Sequence, residues 1–167
     1  MRRVAVVLIF FLLGGCSAAR SPDAKDVQAY YARPFSAKVE LVYGENTAVC
    51  AFSRDGETYL LTASSPESLA GLETELCGEA AALRYAGMEK SFAASALPEE
   101  NPAILLRAML SALSAGEFTL AGTEGGAAAA GDGFTLYLDA ETLAPERAEF
   151  PEAGLSARFQ TFDAGGG

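Results

Sequence analysis

Three cysteines, 22 carboxylates and no histidine define the chemistry available to this 167-residue chain. Without histidine there is no Ser/His/Asp or Cys/His catalytic arrangement and no His-containing zinc site. Cys50 and Cys77 offer two alternatives. They can pair as a disulfide in an oxidising compartment, closing a loop worth about 3 kcal/mol on chain entropy, or remain two buried free thiols among apolar neighbours, the preferred reading. As a metal site they lack further ligands. The carboxylates, among them Glu45, Asp55, Glu57, Glu99, Glu100, Asp132, Asp139 and Glu141, are scattered at turns and strand exits. That distribution describes a solvated surface better than an acid/base pair. The glycine-rich run 125–133 lacks the Gly-Lys-Ser/Thr ending with which a P-loop cradles phosphate. No catalytic residue, metal or cofactor is therefore expected, and the chain reads as a binding protein and not an enzyme.

Charge and length narrow the choice. Lys and Arg number 12, giving a formal charge of -10. Nucleic-acid binding, which draws its affinity from cations neutralising phosphates, is disfavoured. Half of the residues are hydrophobic, so a chain of this length is able to build a core without staples.

The N-terminus carries the most specific signal. Arg2 and Arg3 precede an apolar run, 4–13, about half the length of a membrane-spanning helix. Leu13-Gly14-Gly15-Cys16 follows and resembles the lipobox of bacterial lipoproteins. The resemblance implies a signal peptide over 1–15, cleavage before Cys16 and a covalent lipid (palmitate) on that residue. The alternative is an ordinary secretory leader with an incidental cysteine. Loss of Arg2 and Arg3 leaves 10 basic against 22 acidic residues, a charge of -12. Residues 16–27, small, polar and Pro-interrupted, suit a flexible linker. The following domain, 28–163, is expected outside the cytoplasm, anchored to the cell membrane through Cys16, with a disordered tail at 164–167.

Strand periodicity dominates that domain. Phe35, Ala37, Val39, Leu41 and Tyr43 alternate with polar residues, and Ala48, Cys50 and Phe52 do so again after a Gly44-Glu45-Asn46 turn. Asp55-Gly56 is a hairpin signal leading into 59–63. A short helical segment is expected at 66–70, strands at 79–86 and 89–94, and further strands at 117–121, 134–138, 144–150 and 155–162. The run 123–133 fits either a strand edge or a loop. One clear helix spans 102–115, with Asn101 as N-cap, Pro102 at the first position and Gly116 as terminator. Leu and Met cover most of its circumference, and only Arg107, Ser111 and Ser114 form a polar stripe. The reading is α+β, mainly β: seven or eight strands in a curved antiparallel sheet around one long apolar helix held in the concave face.

In order and character these elements resemble the LolA-like lipoprotein-carrier fold, an unclosed β-barrel with helices over its mouth, and especially the germination-type lipoproteins of Gram-positive bacteria. The resemblance is carried by 35–43, by 65–72 (SPESLAGL), by 83–88 (LRYAGM), by the 97–102 approach to the helix and by 151–159. It implies an acyl or other apolar ligand in the concave cavity, with Phe35, Val39, Leu41, Phe52, Leu106, Leu110 and Leu113 as lining and Arg107 at the rim to meet an anionic headgroup. The alternative it leaves is a protein partner in the cell envelope, such as a cell-wall enzyme of spore formation or germination. A monomer is expected. The chain departs from the soluble carriers in its Cys16 anchor, and neither Arg54 nor Arg84 is assignable to the carriers' arginine.

Overall fold

A computed structural model describes residues 22–123 and 125–165. The expected signal peptide, Cys16 and residues 17–21 of the expected linker lie outside them. Eleven strands and two helices make up the rest: α1 (Ala24–Tyr31), β1 (Phe35–Tyr43), β2 (Asn46–Asp55), β3 (Thr58–Ser65), β4 (Glu73–Cys77), β5 (Ala80–Tyr85), β6 (Met88–Ala93), α2 (Pro102–Ala115), β7 (Thr119–Thr123), β8 (Gly126–Gly131), β9 (Phe134–Leu138), β10 (Pro145–Phe150) and β11 (Leu155–Ala164).

The strands form one antiparallel sheet in the order β6-β5-β4-β3-β2-β1-β11-β10-β9-β8-β7, so it is two meanders joined where β1 pairs with β11. Among the described residues β6 and β7 are its free edges, and the sheet does not close. The chain passes from one edge to the other through α2, which obliges that helix to cross the inner face. α2 touches both β3 and β8. Those strands are six places apart, about 29 Å in a flat sheet at the usual spacing. A helix only about 10 Å wide meets both because the sheet curls around it.

Local sequence accounts for the elements that were legible. In β1 the residues Phe35, Ala37, Val39 and Leu41 point inward, while Tyr43, in phase with them, is 55% exposed because it lies past the reach of the helices. The β2–β3 hairpin forms at Asp55-Gly56, with Gly56 at φ +57° and Asp55 opposite Thr58. Asn101 Oδ1 accepts the Ala103 amide at 2.9 Å, and Gly116 ends α2 in the left-handed region that other residues avoid.

Other expectations are corrected. Among the described residues no long apolar helix lies in the concave face: the α-helices are two, α1 of 8 residues and α2 of 14, and neither is long. α2 buries Ala103, Leu106, Met109, Leu110 and Leu113, but Ala108, Ser111 and Ala115 are exposed, so it covers the sheet with one face only. Eleven strands replace seven or eight: the nine segments with strand character each form one, β4 lies in a stretch with no strand expectation, and the alanine run, open between strand edge and loop, is β8, a paired strand. Residues 66–71 form a turn after a cis Ser65-Pro66 bond where a helical segment was expected. The linker expected through residue 27 is helical from Ala24, where Asp23 caps α1 by accepting the Lys25 amide at 2.8 Å. At the other end β11 runs to Ala164, and the Gly165 amide donates to Pro34 O, so the tail is ordered through 165.

Small residues explain β8. Ala127 and Ala129 are buried on the face that α2 touches, where longer side chains would hold the helix away. At the end of the strand, a Cβ on Gly131 would fall 2.3 Å from the Phe134 ring.

Candidate functional site

The seven apolar residues proposed as cavity lining are all interior, but as packing. Val39, Phe52, Leu106 and Leu113 are at 0% exposure, and Phe35, Leu41 and Leu110 are nearly as deeply buried. They belong to one continuous core that takes in residues from both meanders and both helices. Phe35 sits edge-on to Phe52 at 5.3 Å between ring centroids and stacks on Phe162 at 5.1 Å, which fills the space beneath α1. The sheet therefore brings these residues together, and their own side chains occupy the concave face.

Polar chemistry in this interior is sparse. Thr74 is the one buried residue of the polar or charged type among the described residues. Burial pushes the Cys50 thiol up to about 11. Burial first and the neighbouring Tyr30 second hold the Tyr31 hydroxyl well above the usual tyrosine range. Among the described residues no group of three His, Cys, Asp or Glu is placed to hold a metal ion, and no helix is long and apolar enough to cross a membrane.

The candidate disulfide is overturned. Cys50 and Cys77 are both free, and only Cys50 is buried. Cys50 lies opposite Ala63 and Cys77 opposite Thr58, so five residues of β3, about 17 Å, separate them along the strands before the two-strand gap is counted. A disulfide needs Cα atoms within about 7 Å. Cys77 also follows the inward-facing Leu76 and points to the outer surface, so the reading of two buried thiols holds for Cys50 alone.

Arg107 is also placed differently from the headgroup reading. It lines two surface grooves, of about 440 and 690 Å³, that share Gly78 and Ile104 with it. Its guanidinium donates to Gly78 O at 2.7 Å and so ties α2 to the β4–β5 turn. The larger groove also contains Arg54, Tyr59, Ser111 and Ser114. Arg54 was not assigned a role from sequence, yet it donates to Tyr31 O at 2.8 Å and to Gly56 O at 3.1 Å, and its guanidinium lies over the Tyr59 ring. Neither arginine pairs with a carboxylate among the described residues.

α1, absent from the sequence reading, completes the cover. Gln28 Nε2 donates to Ser114 O at 3.0 Å, and the Tyr31 hydroxyl donates to Leu143 O at 2.9 Å. The second contact spans 112 residues and joins the first helix to the β9–β10 loop. No motif announced it, because an isolated eight-residue helix is not stable on its own and α1 exists through these tertiary contacts.

On the outer face the densest charge is at one sheet edge. Arg84 reaches Glu75 at 2.7 Å, Glu89 at 3.3 Å and Glu73 at 3.8 Å. Its hydrogen bonds to Glu75 and then Glu89 raise its already high pKa.

Comparison with known proteins bears on the fold alone. No protein-family model matches the chain, and no curated protein is significantly similar in sequence. Among solved structures, an uncharacterized conserved protein from Thermus thermophilus shares 14% identity over 85% of each chain with a TM-score of 0.56, which shows a common fold. Weaker likenesses include a LolA superfamily protein from Nitrosomonas europaea, at 8% identity over 86% of this chain and 94% of that one (TM-score 0.43). Another is a chain of the complex between the CwlD amidase and the GerS lipoprotein from Clostridioides difficile, at 17% identity over 78% and 81% (TM-score 0.40). The chain is thus a mainly β protein whose described residues form an open eleven-stranded antiparallel sheet, and in overall fold it is similar to the Thermus thermophilus structure.

Proposed function

We propose that this chain is a membrane-tethered, extracytoplasmic lipoprotein of the LolA-like type that is not an enzyme and acts by docking another protein of the cell envelope, such as a cell-wall enzyme. The leader ending in Leu13-Gly14-Gly15-Cys16 supports the tether, and the unclosed sheet supports the fold type. The choice of a protein partner over an apolar ligand rests on one observation: the concave face is filled by its own Phe35, Val39, Phe52, Leu106, Leu110 and Leu113, none more than 5% exposed. A lipid would have to displace packing that resembles a domain core, and each displaced side chain would give up about 1.5–3 kcal/mol of burial.

The test is made in cells, with proximity crosslinking from surface positions of the anchored protein, alongside native mass spectrometry of the purified chain. A discrete envelope protein in the first and an unliganded mass in the second are expected. An acyl lipid retained through purification overturns the choice in favour of ligand binding. Cys16→Ser should move the protein out of the membrane fraction, and its persistence there would refute the tether.

A further inference from the structure

We propose that β6 is a docking edge that accepts an extended segment of a partner protein as a twelfth strand, the segment alternating apolar with basic residues. This deepens the docking reading above and rests on it. The backbone comes first. β5 and β6 are joined by the two-residue turn Ala86-Gly87, at φ 50° and 80°, with Tyr85 opposite Met88. In such a hairpin the pair flanking the turn exchanges both hydrogen bonds, and the pattern alternates from there. Met88, Lys90 and Phe92 therefore spend their N–H and C=O groups on β5, whereas Glu89, Ser91 and Ala93 aim theirs away from the sheet. Among the described residues no strand adjoins β6 on that side. The result is three donor–acceptor pairs about 6.8 Å apart along an exposed strand.

The side chains around this edge are mixed: Lys90 lies on the inner face of β6 between Met88 and Phe92, and large apolar residues flank it. Four large hydrophobic residues are exposed among those described, and three of them gather here: Met88 at 68%, Leu69 and Tyr85. The Tyr85 hydroxyl donates to Ser68 O at 3.1 Å, which sets Tyr85 beside the turn that carries Leu69. By register Tyr85 and Met88 share the face that holds Leu83, the half-buried Phe92 and the exposed Lys90, the inner face beyond the reach of α2. The opposite edge, β7, has no exposed large hydrophobic residue, and its Leu120 packs on the core.

Charge selects the occupant. On the outer face next to β6, three carboxylates, Glu73, Glu75 and Glu89, surround the single Arg84. A second copy of this chain, itself at -10, would bring a second excess of carboxylates against the first. A strand with lysine or arginine on its outer side meets Glu89 with opposite charge, and its apolar residues lie inward beside Met88, Phe92 and the methylene stem of Lys90.

The probe is a blocked hexapeptide alternating valine with lysine, read by amide hydrogen exchange of the full chain in detergent. At a peptide concentration about ten times Kd, exchange at Glu89, Ser91 and Ala93 should slow about tenfold. The same peptide with glutamate for lysine should bind far more weakly. Ser91→Pro removes one outward N–H and no bond to β5, and should abolish the protection. Met88→Ser leaves the backbone untouched and should weaken binding severalfold, which keeps the test valid if the proline variant does not fold. Unchanged exchange, equal protection by the glutamate peptide, protection at β7 instead, or protection that grows with protein concentration alone (a second copy) would each overturn the proposal. Ser91→Pro also separates the two levels. If an envelope protein still crosslinks to that variant undiminished, docking stands and the β6 edge is wrong; if none crosslinks to the parent, docking itself fails.

Discussion

Leu110→Ala measures directly whether the concave face is core or cavity. Leu110 is 1% exposed on the inner side of α2, with Leu106 and Leu113 one turn away on either side. The substitution removes three carbons, about 2 kcal/mol of transfer free energy at about 0.8 per buried methylene. If the neighbours do not collapse, the space left adds up to about 2 kcal/mol at about 24 cal/mol per Å³. The expected loss is about 3–4 kcal/mol. In equilibrium urea unfolding of a domain this size, with a slope near 2 kcal/mol per molar, the midpoint should fall by about 1.5–2 M. A shift below about 0.5 M would mean that Leu110 faces space that is already open or wet, and would refute the packed interior. The variant supplies a second reading of the same point: a small apolar molecule such as benzene should stabilise Leu110→Ala and leave the parent unaffected.

The remaining expectations concern single groups. In a Cys16→Ser background a thiol reagent should label Cys77 in the native protein and Cys50 only after unfolding; two equally fast thiols would contradict the placement of Cys50. Because the folded Cys50 thiol is raised to about 11 from 9.0, stability should decline as pH rises from 9 toward 11, where the unfolded thiol ionises and the folded one does not. The Asp139 carboxylate accepts the Thr142 amide, the Thr142 hydroxyl and the Glu141 amide, which hold its pKa below the usual range. Its contribution to the β9–β10 turn is present above the unfolded carboxylate's pKa and lost as pH falls through the lower folded value. An NMR titration placing Asp139 at or above an ordinary aspartate would count against those bonds. Tyr31→Phe removes the hydroxyl that holds Leu143 O and should cost about 1–1.5 kcal/mol. An unchanged unfolding midpoint would show that α1 is not fixed through this contact.

The elements legible in the sequence are those written by neighbours in the chain. The alternation of β1 and β2, the Asp55-Gly56 hairpin and the Asn101-Pro102 to Gly116 frame of α2 needed only local sterics and hydrogen bonding, and each formed where expected. α1 and β8 were not legible for the opposite reason. The eight residues of α1 are helical because Gln28 and Tyr31 find partners 86 and 112 positions away. The alanines of β8 are a strand because small residues suit the approach of α2. Cys50 and Cys77 show the limit at single residues: both have apolar neighbours in sequence, but the register of β3 puts them on different faces and far apart.

For the candidate site the division is the same. Sequence by itself determined the absence of histidine chemistry, the acid excess, the lipobox-like leader and the inward phase of Phe35, Val39, Leu41 and Phe52. Only the tertiary structure decided that these residues meet Leu106, Leu110 and Leu113 in a filled interior, that Arg107 is spent on Gly78 O, and that Leu69, Tyr85 and Met88 gather at an open edge. The physical reason is that periodicity assigns a side chain to a face, whereas the curl of the sheet around α2 decides whether that face is filled, covered or left open.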